Sequence, residues 1–167
     1  MNDAFVAVLM GSDSDLPVVK SCIDVLKKFG IRFEVRVSSA HRCPDATHAF
    51  VKDADQRGCA VFVAAAGMAA HLAGAVAAST CKPVIGLPIN ASLDGLDALL
   101  STVQMPGGIP VATVAIGKAG AKNAGYLAAQ IMATADADLA AKIIAERAAN
   151  TAEVLAKNDG LMESLEA

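Results

Sequence analysis

Short apolar runs alternate along this chain with stretches of helical period, and that alternation narrows the folds open to it. Phe5 to Met10 is apolar throughout and ends at Gly11; Val61 to Ala65, Val84 to Leu87 and Val111 to Ile116 are further runs with Gly or Pro close by. Such runs read as buried strands. Phe33, Val35 and Val37 instead alternate with Arg32, Glu34 and Arg36, the pattern of a strand with one wet face, as at a sheet edge. Between the runs lie helices. Val18, Cys22, Val25 or Leu26, and Phe29 recur at helical spacing, behind Ser and Asp caps and Pro17, and before Gly30. Further helices are expected from Pro44 to about Gln56, Ala69 to Ser79, Leu96 to Val103, Ala121 to Ala133, and Ala137 to about Ala156. Strands alternating with helices imply a parallel sheet with right-handed crossovers. A wet second strand beside dry first and third strands fits the order 2-1-3-4-5. The expectation is one α/β domain over 1–157, with an extra C-terminal helix, and a polar tail at 158–167.

In that order the chain reverses direction between strands 1 and 3, and ligands bind at such a switch point beyond the carboxyl ends of the strands. Three polar stretches follow those strands. Gly11-Ser12-Asp13-Ser14-Asp15 opens a helix, where N–H groups and the helix dipole favour an anion and two hydroxyls add donors. Asp15 repels phosphate, so ribose hydroxyls suit it better; the same residues are equally ordinary helix caps. Ser38-Ser39-Ala40-His41-Arg42-Cys43-Pro44 holds an imidazole able to take and return a proton near neutral pH, beside a guanidinium that can fork onto phosphate. A lone His-Arg pair is as often a loop feature. Ala66-Gly67-Met68-Ala69-Ala70-His71 completes the set, with His71 read as a hydrogen-bonded supporting residue. His48 is expected to face solvent from mid-helix. The loop Gln104 to Pro110 is a lid or a connection, and Lys118 a surface lysine within possible reach of phosphate.

Composition excludes several classes. The chain of 167 residues carries a net charge of −3, no Trp and one Tyr, which argues against nucleic-acid binding. No Asp, Glu, Lys or Arg occurs from Gly58 to Cys81, but Gly67, His71, Gly74 and the many Ala residues make that span a buried strand and helix rather than a membrane crossing. Four widely spaced cysteines without a C-x-x-C, and no basic leader, read as reduced and cytoplasmic. The three His and four Cys show no metal-ligand spacing. Neither G-x-x-x-x-G-K-[ST] nor G-x-G-x-x-G occurs, which disfavours an ATPase or a dinucleotide enzyme. The chain is 54% hydrophobic with a mean hydropathy of +0.47, an excess that points to surface buried between subunits.

Taken together, Met10 to Asp15, Ser39 to Pro44, Ala66 to Leu72, Val103 to Pro110 and Ala115 to Ala121 resemble the N5-carboxyaminoimidazole ribonucleotide mutase family of purine biosynthesis, in the family's order and across nearly the whole chain. The resemblance implies a three-layer flavodoxin-like sandwich, a homo-octamer, and neither metal nor organic cofactor. It implies conversion of N5-carboxyaminoimidazole ribonucleotide to 4-carboxy-5-aminoimidazole ribonucleotide on the route to IMP, through a CO2 intermediate. On this pattern His41 is the acid/base. Ser12 and Asp15 bind the ribotide, Ser39 and Arg42 hold its phosphate end, and Gly11, Ser14 and His71 support them. Cys43 stands where the family usually has Thr, Met68 where Gly is usual and Ala73 where Pro is usual, and the loop after Pro88 is about a residue short. A related carboxylase that uses CO2 directly shares the fold and the histidine, but His-Arg resembles the mutase and His-Lys the carboxylase. A nonenzymatic ribotide-binding protein on the same fold is the alternative of another class.

Overall fold

The computed structural model describes residues 4–166. Five strands, β1 (Phe5–Met10), β2 (Phe33–Val37), β3 (Cys59–Gly67), β4 (Val84–Ile89) and β5 (Ala112–Thr113), form one sheet of order β2-β1-β3-β4-β5. Every pairing is parallel, with Val8 opposite Val35 on one side and Val63 on the other. The order inferred from the wet second strand is the order observed. β2 is the edge, with Val35 and Val37 exposed. The end of this edge strand carries charge: Arg57 forks onto Glu34 at 2.6 and 2.8 Å and lies over the Phe5 ring.

Helices cover both faces, and the pleat of β1 shows how the core divides. Val6, Val8 and Met10 point into one cluster, with α1 (Leu16–Lys28), α5 (Gly117–Ala133) and the first turns of α6 (Ala137–Glu166). Phe5, Ala7 and Leu9 point into the other, with α2 (Pro44–Gln56) and α3 (Leu72–Ala77). α4 (Leu96–Val103) packs on β4. The most extensive helix–helix contact is between α1 and α5. A Cβ on Gly125 would sit 2.8 Å from Val25 Cβ and 2.9 Å from the Cys22 carbonyl oxygen, so the contact depends on a residue without a side chain.

Several boundaries differ from the sequence reading, each for a local reason. α3 begins at Leu72 rather than Ala69, because Met68 takes a φ of +56° and Ala70 N–H turns back onto the Met68 carbonyl. β5 is two residues long, flanked by Pro110 on one side and by the turn into α5 on the other; α5 itself starts at Gly117 rather than Ala121. β3 and β4 each run two residues further than their apolar cores, to Gly67 and Ile89, and carry the site-forming loops with them. The last helix continues to Glu166 instead of ending near Ala156, since no proline interrupts Lys157 to Glu166 and the single Gly160 is accommodated within it. Among the described residues no helix is long and apolar enough to cross a membrane.

Candidate active site

The loops after β1, β2 and β3 converge at the carboxyl edge of the sheet, as the switch-point argument requires. They line a cleft of about 310 Å3 that includes Gly11, Ser12, Ser14, Asp15, Ser39 and His41, with Ala66 to Ala69, His71 and Leu72 opposite. Ala91, from the loop after β4, closes one wall. The cleft is therefore divided. Hydroxyls and a carboxylate come from the β1 loop, and alanines, Gly67 and Met68 from the end of β3.

The β1 loop is a 3-10 turn, Asp13–Asp15, leading into α1. Ser12 is its N-cap: its Oγ accepts from Ser14 N–H, and its own N–H donates to Asp15 Oδ2 at 3.2 Å. Asp13 Oδ1 takes Ser14 N–H as well. The capping role is thus real, and it shapes the chemistry. The Ser12 and Ser14 N–H groups already meet carboxylates and the Asp15 N–H meets the Ser12 carbonyl, so the loop offers Ser12 and Ser14 hydroxyls and the Asp15 carboxylate to a ligand, a set suited to hydroxyl groups more than to phosphate. Burial holds the Asp15 carboxyl above its ordinary range; the Ser12 N–H opposes the rise and nearby Asp13 adds to it.

The β2 loop presents His41. Ser38 N–H continues the ladder onto the Met10 carbonyl, and Ser38 Oγ meets Thr47 Oγ1 at 2.7 Å, which pins the loop to α2. The Ser39 carbonyl receives the N–H groups of Arg42 and Cys43, and Ser39 Oγ takes the Arg42 N–H at 3.3 Å. That tight turn buries Ala40 and turns His41 into the cleft. There its ring lies against the His71 ring, centroids 5.1 Å apart and planes tilted by 36°. The two imidazoles are thirty positions apart in the chain, and no spacing rule connects them. The signal that could have found the pair is the parallel register of β2 and β3 on either side of β1, which brings the loops after both strands to the same edge of the sheet.

Gly67 backs the third loop onto β4: a Cβ there would lie 3.0 Å from Ala91 Cβ and 3.2 Å from the Ile89 carbonyl oxygen. Met68 follows in the left-handed region at φ +56°, a conformation that disfavours a side chain by roughly 1–2 kcal/mol. It stands where the resemblance expects Gly.

Arg42 is exposed and lies outside the cleft lining, next to its mouth. Lys118 is exposed at the start of α5 and does not line the cleft. Within one chain the loop from Gln104 to Pro110 does not cover the cleft either; its Gly108 to Pro110 end lies with Lys82 to Val84, at the amino end of β4. His48 is exposed but not idle, since its Nδ1 is 3.0 Å from Ser79 Oγ and ties α2 to the end of α3. Cys22 and Cys59 are buried thiols pushed up to about 12 and about 11 by desolvation, out of reach of nucleophilic chemistry. Among the described residues no three His, Cys, Asp or Glu side chains are grouped to hold a metal ion.

Comparison with known proteins agrees with this arrangement. Residues 5–153 match the AIR carboxylase family. The N5-carboxyaminoimidazole ribonucleotide mutase of Methanocaldococcus jannaschii is 48% identical over 95% of this chain and 98% of its own. The mutase of Bacillus subtilis is 49% identical over 94% and 98%, and that of Escherichia coli 48% over 95% and 94%. A crystal structure of Treponema denticola PurE superposes with a TM-score of 0.86 at 28% identity, covering 95% of this chain and 98% of that one. Sheet order, switch-point cleft and near-complete alignment coincide, and the chain belongs to the AIR carboxylase family.

Proposed function

We propose that this chain is an isomerase that converts N5-carboxyaminoimidazole ribonucleotide to 4-carboxy-5-aminoimidazole ribonucleotide in purine biosynthesis. The observation that carries the reading is a histidine, His41, held at the switch point between a hydroxyl-bearing loop and an apolar one, in a chain about half identical to relatives bearing that mutase name. The cleft matches both halves of the substrate. Ser12 and Asp15 suit ribose hydroxyls, with Ser14 and Gly11 shaping their turn. The heterocycle then lies toward His41 and the alanine-lined wall. Ser39 and Arg42 take the phosphate end, which on this pose projects from the cleft mouth where Arg42 stands.

The chemistry balances on one proton. His41 gives a proton to the exocyclic nitrogen as the N–C bond to the carboxylate breaks and CO2 leaves. The neighbouring ring carbon then attacks CO2 to form the new C–C bond, and the ring proton returns to His41. The histidine ends as it began, and the net change is an isomerisation that consumes no further reagent. His71, in contact with the His41 ring, fixes its orientation. We further infer a homo-octamer working in the cytoplasm; the many exposed apolar residues on α4 and α6 support association between copies.

A second reading, direct carboxylation of aminoimidazole ribonucleotide by CO2, is favoured by the description of the matched family as AIR carboxylase. One experiment separates the two. The enzyme is given either the N-carboxylated ribonucleotide without added bicarbonate or ATP, or the uncarboxylated amine with modest bicarbonate. Rapid product formation only from the first supports the mutase. Efficient use of the second, with neglect of the first, assigns the carboxylase.

A further inference from the structure

Met68 is the cleft residue whose conformation and chemistry are both out of place. Of the non-glycine residues with positive φ among the described residues (Met68, Leu93 and Asp94), it is the one that lines the cleft. Strained backbone of this kind persists where the surroundings fix it, and here they do. A Cβ on Gly67 would meet Ala91 Cβ and the Ile89 carbonyl oxygen, so the backbone runs close to that wall, and the Ala70 N–H donates to the Met68 carbonyl at 2.9 Å. The Met68 Cα is thereby held at the rim, and its side chain, 61% exposed, is left as the long apolar group beside His41 and His71. Methionine has three rotatable bonds and a polarizable sulfur, so it can lie over an irregular ligand or swing clear of it. The rest of that wall does not reach across the cleft: Ala66, Gly67 and Ala69 are short, and Leu72, 2% exposed, is packed into the core.

We propose that Met68 is a positioning residue that closes the apolar half of the cleft over the reacting carbon, keeping water out and released CO2 in. The inference rests on the mutase reading given above. Met68 takes no part in the bond changes. The N–C bond breaks and the C–C bond forms with His41 carrying the proton. What Met68 changes is the competition between recapture of CO2 by the ring carbon and its escape to solvent. Dispersion contacts from a thioether hold a neutral gas as well as a hydrocarbon does, and a dry site favours attack on it.

The test uses the full chain and N5-carboxyaminoimidazole ribonucleotide labelled with 13C in its carboxyl group. Unlabelled bicarbonate and carbonic anhydrase are present, so that any escaped CO2 joins the pool. Wild type, Met68→Leu, Met68→Gln and Met68→Gly are compared for the fraction of product that keeps the label. Wild type and Met68→Leu are expected to retain most of it. Met68→Gln, which keeps length but adds a wettable amide, and Met68→Gly, which removes the cover, are expected to lose several-fold more label per turnover with the KM for ribonucleotide unchanged. Met68→Gly also relieves the positive φ, so its effect cannot be ascribed to misfolding. Equal label retention in all four proteins overturns the inference, as does a raised KM with retention intact, which makes Met68 a plain binding contact. Absence of product with wild type overturns the mutase reading itself, and this inference with it.

Discussion

At the scale of single residues, the cleft depends on a few side chains whose neighbours settle what they can do. His41 is exposed to the cleft, backed by His71 and carried on a turn that Ser38, Ser39 and Thr47 hold rigid. Replacing it by Asn keeps polarity and much of the size but removes the imidazole. His41→Asn is expected to bind ribonucleotide and to turn it over about 10²–10⁴-fold more slowly, the usual loss for one acid/base group. Steady-state turnover together with a binding isotherm checks this, and near wild-type turnover would take His41 out of the mechanism. Much of this site was legible in the chain. Ser12, Asp15, Ser39 and His41 were readable because helix caps and strand ends carry local marks. The His41–His71 contact was not, since it is made by strand register across the sheet. Nor was the standing of Arg42 at the mouth rather than in the lining, because a chain neighbour of a cleft residue points wherever the turn sends it.

At the scale of elements, two contacts make measurable claims. α2 is preceded by Cys43, an N-cap whose side chain makes no capping bond; its thiol instead meets the Ser39 carbonyl at 3.2 Å. A hydroxyl in the same place can accept from the first free N–H groups of the helix, a cap typically worth about 1 kcal/mol. Cys43→Thr is therefore expected to raise the chain's resistance to urea, and an unchanged midpoint would mean that the cap geometry is closed to a side chain. On the other face, α6 is joined to α1 and α5 through Glu146, which receives Lys28 Nζ at 2.7 Å and the Tyr126 hydroxyl. The Lys28 contact, then the tyrosine hydroxyl, hold this carboxyl below its ordinary value of 4.5. A lowered folded value stabilises the protein fully above the unfolded value, and the contribution is lost as pH falls through the folded one. Glu146→Gln is expected to lower stability at neutral pH and to flatten its decline between pH 4.5 and the lowered folded value, with the two proteins converging in stronger acid; parallel curves would rule the linkage out. The sequence reading placed these helices but not their exact spans. α3 starts late because Met68 must turn before it, a backbone event without a mark at Ala69, and α6 runs on because no proline follows Ala156 and Lys157, Leu161, Met162 and Glu163 favour helix enough to carry Asn158, Asp159 and Gly160.

At the scale of the whole molecule, hydropathy and surface have to be reconciled. The alanine-rich α3, which on composition alone looks suited to an interface, turns Leu72, Ala73, Val76 and Ala77 into its own core. The unburied apolar surface lies elsewhere. Leu93, Leu96, Leu100 and Val103 recur at helical spacing along the outer side of α4 and the turn before it, with Leu93 75% exposed. Ile144, Val154, Leu155, Leu161, Met162 and Leu165 do the same along α6. If each stripe is covered by its own contact between copies, the two interfaces together build an assembly of more than two copies. The expected outcome is sedimentation as a species well above dimer mass, an octamer on the family's pattern. Placing a charge in the α4 stripe, as in Leu96→Glu, is expected to lower the mass while the isolated chain keeps its far-UV circular dichroism. A wild-type monomer at micromolar concentration would leave both stripes facing water and would count against the assembly.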